Sequence, residues 1–118
     1  MKTIRFLLIT ILVGLIAVQM SSCKKCKGED PSARIINNGT NKASVQIKTT
    51  NGNTVNINNV DPSTSSAYAS YAAGDVTFTI TVSTNNYVKI VPMSKCFYYD
   101  IAIDANNNIT SIAIDRNK

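Results

Sequence analysis

Val76-Thr77-Phe78-Thr79-Ile80-Thr81-Val82 is seven residues of unbroken apolar–polar alternation. In an extended chain successive side chains point to opposite faces. Val76, Phe78, Ile80 and Val82 therefore share one face, and Thr77, Thr79 and Thr81 share the other. A helix would scatter both sets around its circumference. Threonine suits the solvated face because it is both β-branched and polar. The segment predicts a strand with one dry side, and a dry side needs a second layer to cover it.

The same period extends in both directions. Downstream, Asn85-Asn86 reads as a turn, Tyr87 to Val91 as a strand, and Pro92 as its end or an edge position, because proline has no N–H for a ladder. Cys96 to Asp104 puts Phe97, Tyr99, Ile101 and Ile103 on one face. Asn106-Asn107-Asn108 makes a tight connection, and Ile109 to Ile114 closes the sheet. Upstream, Ala73-Gly74-Asp75 turns the chain, and Tyr68 and Tyr71 fall in a short strand or irregular edge. Val60 to Ser66 is a loop containing Pro62. Val55 and Ile57 alternate with Thr54, Asn56 and Asn58. Asn51-Gly52 is a hairpin signal, because both residues tolerate positive φ. Ala43, Val45 and Ile47 form another apolar face. Asn38 to Asn41 turns, and Ala33 to Asn37 is the first strand. The expectation is an all-β domain over residues 33–118: a two-layer antiparallel β-sandwich of about seven strands, with immunoglobulin-like or transthyretin-like character.

A chain of 118 residues is the size of one such domain. Apolar residues make up 44% and charged residues 16%, which excludes a highly charged disordered segment. The net charge of +5 is unevenly placed: Lys2, Arg5, Lys24, Lys25 and Lys27 precede the domain, and residues 31–118 carry a net +2. That body has no Lys/Arg stripe, so no nucleic-acid partner is expected. The chain has no His and no Trp. Histidine-based general base catalysis and His-ligated metal sites are thereby excluded.

Residues 1–22 read as an address. Lys2 and Arg5 precede the run Phe6 to Val18, which is apolar and shorter than a usual spanning helix. A retained membrane anchor is the alternative. The boundary Met20-Ser21-Ser22-Cys23 resembles the lipobox of bacterial lipoproteins, with an apolar residue three before the Cys and two small residues between. Met20 departs from the favoured Leu. The resemblance implies that the Cys23 thiol receives a diacylglycerol, that cleavage precedes Cys23, and that the new amino group is acylated, commonly by palmitate. An ordinary thiol after conventional cleavage is the other reading. Residues 23–32 read as a flexible tether, charged and containing Gly28 and Pro31. Lys27, Glu29 and Asp30 are similar to the stretch that follows the lipidated Cys in exported lipoproteins of the Bacteroides–Flavobacterium group. That implies a cell-envelope location, on the outer membrane. The segment Ser66 to Thr79 also resembles strand–turn–strand units of small repeated β-domains in secreted bacterial proteins.

The candidate chemistry is sparse. With Cys23 assigned to lipid, Cys26 and Cys96 remain. Cys96 is either a packed thiol or the partner of Cys26 in a disulfide clipping the tether to the domain. No metal site and no cofactor are expected. Asp104 to Asn108 begins like a calcium loop and Asp115 falls at its closing position, but Ile109 stands where glycine is needed, so a polar turn is expected. Asp100 and Asp104 lie about 13 Å apart along one strand, beyond the roughly 5–9.5 Å of a glycosidase pair. They read as a solvated face. No enzyme activity is expected. Tyr68, Tyr71 and Tyr98 are the candidate binding residues for a glycan or a protein partner. The expected role is a lipid-anchored structural or accessory protein of the envelope, with a glycan- or protein-binding surface module as the alternative.

Overall fold

The computed structural model describes residues 26–117. The expected signal segment 1–22 and the expected lipidation site Cys23 lie outside the described residues. Nine strands form: β1 (Ser32–Asn38), β2 (Ala43–Lys48), β3 (Thr54–Val60), β4 (Thr64–Ser65), β5 (Ala69–Ser70), β6 (Gly74–Val82), β7 (Asn85–Met93), β8 (Phe97–Asp104) and β9 (Ile109–Asp115). Seven are long and two, β4 and β5, have only two residues each. They make two packed sheets. One runs β4-β1-β8-β9, with β5 also on β1, and the other runs β3-β2-β6-β7. The fold is all-β and sandwich-like.

The alternating segment sits at the heart of this architecture. β6 lies between β2 and β7. Its Val76, Phe78 and Ile80 are fully buried. They join one core cluster with Ile35 of β1, Val45 and Ile47 of β2, and Ile101 and Ile103 of β8. Burying each large side chain of this kind contributes about 1.5–3 kcal/mol. Among the described residues three polar residues are buried, Ser32, Asn37 and Thr49, and Asn37 lies deepest. Asn37 is buried and donates from Nδ2 to the carbonyls of Asn41 and Val60 at 2.8 and 2.9 Å. Those bonds offset the cost of taking an amide out of water.

Two turns share one solution. Thr49 N donates to Asn53 O, and Gly52 N donates to Thr49 O, with Gly52 at φ +88°. Asp104 N donates to Asn108 O, and Asn107 N to Asp104 O, with Asn107 at φ +64°. Each is a three-residue loop with its last residue left-handed. The hairpin expected at Asn51-Gly52 forms, and of the two residues only Gly52 has positive φ. Asp104 Oδ1 also accepts from the amides of Asn106 and Asn108, both at 2.9 Å.

Two features of the pairing depart from expectation. β7 begins at Asn85, so Asn85 and Asn86 are paired residues facing Val82 and Thr81. The turn is Ser83-Thr84, with Ser83 at φ +56°. Pro92 takes the edge position of the two expected for it: it pairs with Asp75 inside β7, where a missing N–H is tolerated. Finally, the five-stranded sheet is mixed, because β1 and β8 are parallel. A parallel pair needs a long crossover, and the whole of the other sheet lies between these strands in sequence.

Candidate functional site

The parallel pairing of β1 and β8 builds the most elaborate side-chain cluster. It sets Arg34 directly opposite Asp100. Both point away from the core, since their neighbours Ala33, Ile35, Tyr99 and Ile101 are buried. Arg34 Nε donates to Asp100 Oδ1 at 2.9 Å and Nη2 donates to Oδ2 at 3.3 Å. This two-pronged pair is the geometry guanidinium and carboxylate favour.

Tyr68 reaches the pair from the segment between β4 and β5, which both hold on to β1. Its hydroxyl donates to Asp100 Oδ1 at 2.5 Å. The Arg34 guanidinium lies 4.9 Å from the Tyr68 ring centroid. On the other side stands Tyr98, its ring centroid 5.0 Å from that of Tyr68 with the planes at 48°. Arg116 lies over Tyr98 at 4.5 Å and donates from Nη2 to Glu29 Oε2 at 2.5 Å. The result is a row of Arg34, Tyr68, Tyr98 and Arg116, with Asp100 and Glu29 as counter-charges. Offset aromatic contacts and guanidinium–ring contacts each add favourable energy beyond area burial.

The same face continues onto β9. Ile114 pairs with Tyr98 and Ile112 with Asp100. Ile112 is 62% exposed, Ile114 41% and Tyr68 39%. Exposed Tyr68, Ile112 and Ile114 and half-buried Tyr98 therefore form a patch edged by charged groups.

Electrostatics follow from this geometry. Arg34 holds the Asp100 carboxyl below the usual carboxylate range, and the Tyr68 hydroxyl adds to the effect. The Tyr68 phenol is pushed up, first by burial and then by its bond to Asp100. Asp100 is thus a fixed anion with its lone pairs engaged, and Tyr68 a fixed neutral donor. Neither is poised to exchange protons near neutral pH.

Tyr68 and Tyr98 meet on this face. Tyr71 does not join them: it is buried in the core, and its phenol is raised by that burial. Tyr71 follows β5, which pairs with Ser32 and Ala33, and its amide donates to Pro31 O at 3.0 Å. Arg34, Arg116, Glu29, Ile112 and Ile114 belong to the cluster and were not among the sequence candidates. Alternation along β1 and β9 puts Arg34, Ile112 and Ile114 outward. Nothing in that alternation brings them together.

Cys26 and Cys96 are joined by a disulfide, with their Cα atoms 5.7 Å apart. The stretch expected as a tether is described from residue 26, and there it lies against the domain. Cys26 N donates to Asn117 Oδ1 at 2.9 Å, Cys96 N donates to Glu29 O at 3.0 Å, and Glu29 takes the ion pair from Arg116. Ser32 already belongs to β1. Asp104 and Asp115 stand at opposite ends of the β8–β9 hairpin, where Asp115 pairs with Phe97. Among the described residues no group of three or more His, Cys, Asp or Glu side chains converges in a metal-holding arrangement. A small polar recess lies at the hairpin end, lined by Asn37, Gly39, Asp104 and Asn107 among others.

No family model, curated protein or solved structure matches this chain.

Proposed function

We propose that this chain is a lipid-anchored, non-catalytic recognition domain of the bacterial cell envelope, carried on the outer membrane through Cys23. Its working surface is the outer face of the five-stranded sheet. The single observation that carries this reading is the patch of exposed Tyr68, Ile112 and Ile114 around half-buried Tyr98, between Arg34 and Arg116. Tyrosine and arginine around an apolar centre are the composition of energetically dominant protein contacts. Each tyrosine ring already carries a guanidinium within 5 Å. That leaves less open ring face for a flat sugar and favours a protein partner over a glycan.

The strand order argues against the immunoglobulin constant-type form of the sandwich, and the transthyretin-like form is the reading we keep. An immunoglobulin constant domain keeps its first two strands in one sheet. Here β1 and β2 lie in different sheets.

Two measurements test the proposal. Labelled palmitate fed to producing cells is expected to enter the protein and to be lost in Cys23→Ser; equal label in both removes the anchor. Cross-linked pull-down from intact cells is expected to recover a partner with the native chain and not with a folded Tyr68→Ser/Tyr98→Ser variant. Unchanged recovery by that variant removes the face.

A further inference from the structure

We propose that the Cys26–Cys96 disulfide sets which end of the sandwich meets the membrane. This rests on the lipid anchor at Cys23 proposed above. The chain between the two points is short. Cys26 is three residues from Cys23, and three residues span at most about 11 Å when fully extended. Cys26 is bonded to Cys96 in the turn between β7 and β8. The lipid therefore enters the bilayer within about 11 Å of Cα of Cys26, and the domain has no slack to turn over.

Strand directions define the two ends. β1 and β8 start at the Cys96 end, and β9 finishes there. The turn at Thr49–Asn53, the turn at Ser94–Cys96 and Arg116-Asn117 cluster at this proximal end. The opposite end holds the turns at Gly39–Lys42, Ser83-Thr84 and Ala105–Asn108. An eight-residue strand such as β8 separates the ends by about 25 Å.

The proximal end carries exposed Glu29, paired with Arg116, and exposed Asp30, and beside them basic groups that can meet a headgroup layer. Lys27 and Lys95 are exposed beside the disulfide, and Lys24 and Lys25 adjoin Cys23 in sequence. Basic side chains next to a lipid anchor add attraction to anionic lipid. The distal end presents Asn38, Asn41, Asn106 and Asn108, all exposed amides, to the aqueous side.

The placement also sharpens the partner. Tyr98 is two residues from Cys96, about 7 Å along the strand. The Tyr68–Tyr98 patch thus stands just above the headgroups, within reach of a protein embedded in the same membrane.

The test uses the full-length acylated chain in vesicles of phosphatidylethanolamine and phosphatidylglycerol carrying a headgroup energy acceptor. A donor dye is placed at Ser94→Cys or at Asn106→Cys. Flotation of the labelled protein with the vesicles reads the anchor separately. The expected result is flotation of both variants with severalfold stronger donor quenching at residue 94. Replacing Cys26 and Cys96 by Ser is expected to narrow that difference. Protein that floats but quenches equally at both sites overturns the orientation and leaves the anchor standing. Protein that does not float overturns the anchor, and the orientation with it.

Discussion

The outer faces of the two sheets are built from similar alternation and carry different chemistry. On the four-stranded sheet, Thr77, Thr79 and Thr81 of β6 face Lys48, Gln46 and Ser44 of β2 in register. These are short or flexible polar groups turned to water, with Val88 and Ile90 of β7 exposed beside Thr79 and Thr77; a bond from Thr81 Oγ1 to Asn86 Oδ1 at 2.6 Å joins neighbouring strands of one hairpin. On the five-stranded sheet, Arg34 and Asp100 meet across 66 residues of chain, and Tyr68, Tyr98 and Arg116 gather around them. The first face is made by antiparallel pairing, with the β6–β7 hairpin local in sequence. The second is made by parallel pairing of strands distant in sequence. Local pairing repeats whatever pattern the sequence carries. Distant pairing brings together residues that share no pattern.

The comparison can be broken or sharpened in order of effect. The four-stranded sheet owes its stability to its inner side, so Phe78→Ala should cost about 3–5 kcal/mol in urea denaturation, the transfer loss plus an unfilled cavity. A cost below 1 kcal/mol would mean the core collapses around the gap. The five-stranded sheet has a covalent clip besides its core. Cys26→Ser with Cys96→Ser should cost about 2–4 kcal/mol, because the bond closes a loop of 70 residues in the unfolded chain. Equal midpoints for the oxidised native protein and this variant would deny the clip any role in stability.

Next comes a pH signature confined to the five-stranded face. The Asp100 carboxyl is held below its ordinary value by Arg34. A depressed carboxyl contributes stability that is present above the unfolded-state value, about 3.9, and is lost as pH falls through the folded value. Asp100→Asn should therefore melt below the native protein at neutral pH, and the gap should close on acidification. A gap that stays constant across the acid range would show that the loss is steric. Smallest of all, Thr79→Ala on the opposite face should shift stability by no more than about 0.5 kcal/mol, as for a surface site without special partners. A larger loss would reveal that the threonine face does more than meet water.

Most of the fold was legible. The seven long strands follow from period-two alternation, and the part of the core supplied by β2, β6 and β8 follows from their inward parity. Turn chemistry was less so. Asn85-Asn86 has the composition of a turn, yet the chain reverses at Ser83-Thr84. Register with β2 and β6 decides where a hairpin closes, and asparagine is tolerated at the start of an edge strand. The candidate site was half legible. Outward parity singled out Tyr98, and Tyr68 was a candidate. Tyr71 was misplaced because β5 is too short to show a period. The tether reading of residues 26–32 was natural for a charged, proline-containing stretch, but the disulfide and the Glu29–Arg116 pair hold that stretch to the domain.

The sequence by itself determined the alternation, and with it an all-β chain whose apolar faces require two layers. It also carries the Cys23 boundary on which the proposed anchor rests. Only the tertiary structure decided that β1 runs parallel to β8, that Cys26 reaches Cys96, and that Arg34, Tyr68, Tyr98 and Arg116 form one row. The reason is physical. Alternation is a property of adjacent residues and is written along the chain. Sheet order and register are selected by the total burial of all the faces at once, and no single segment contains that sum.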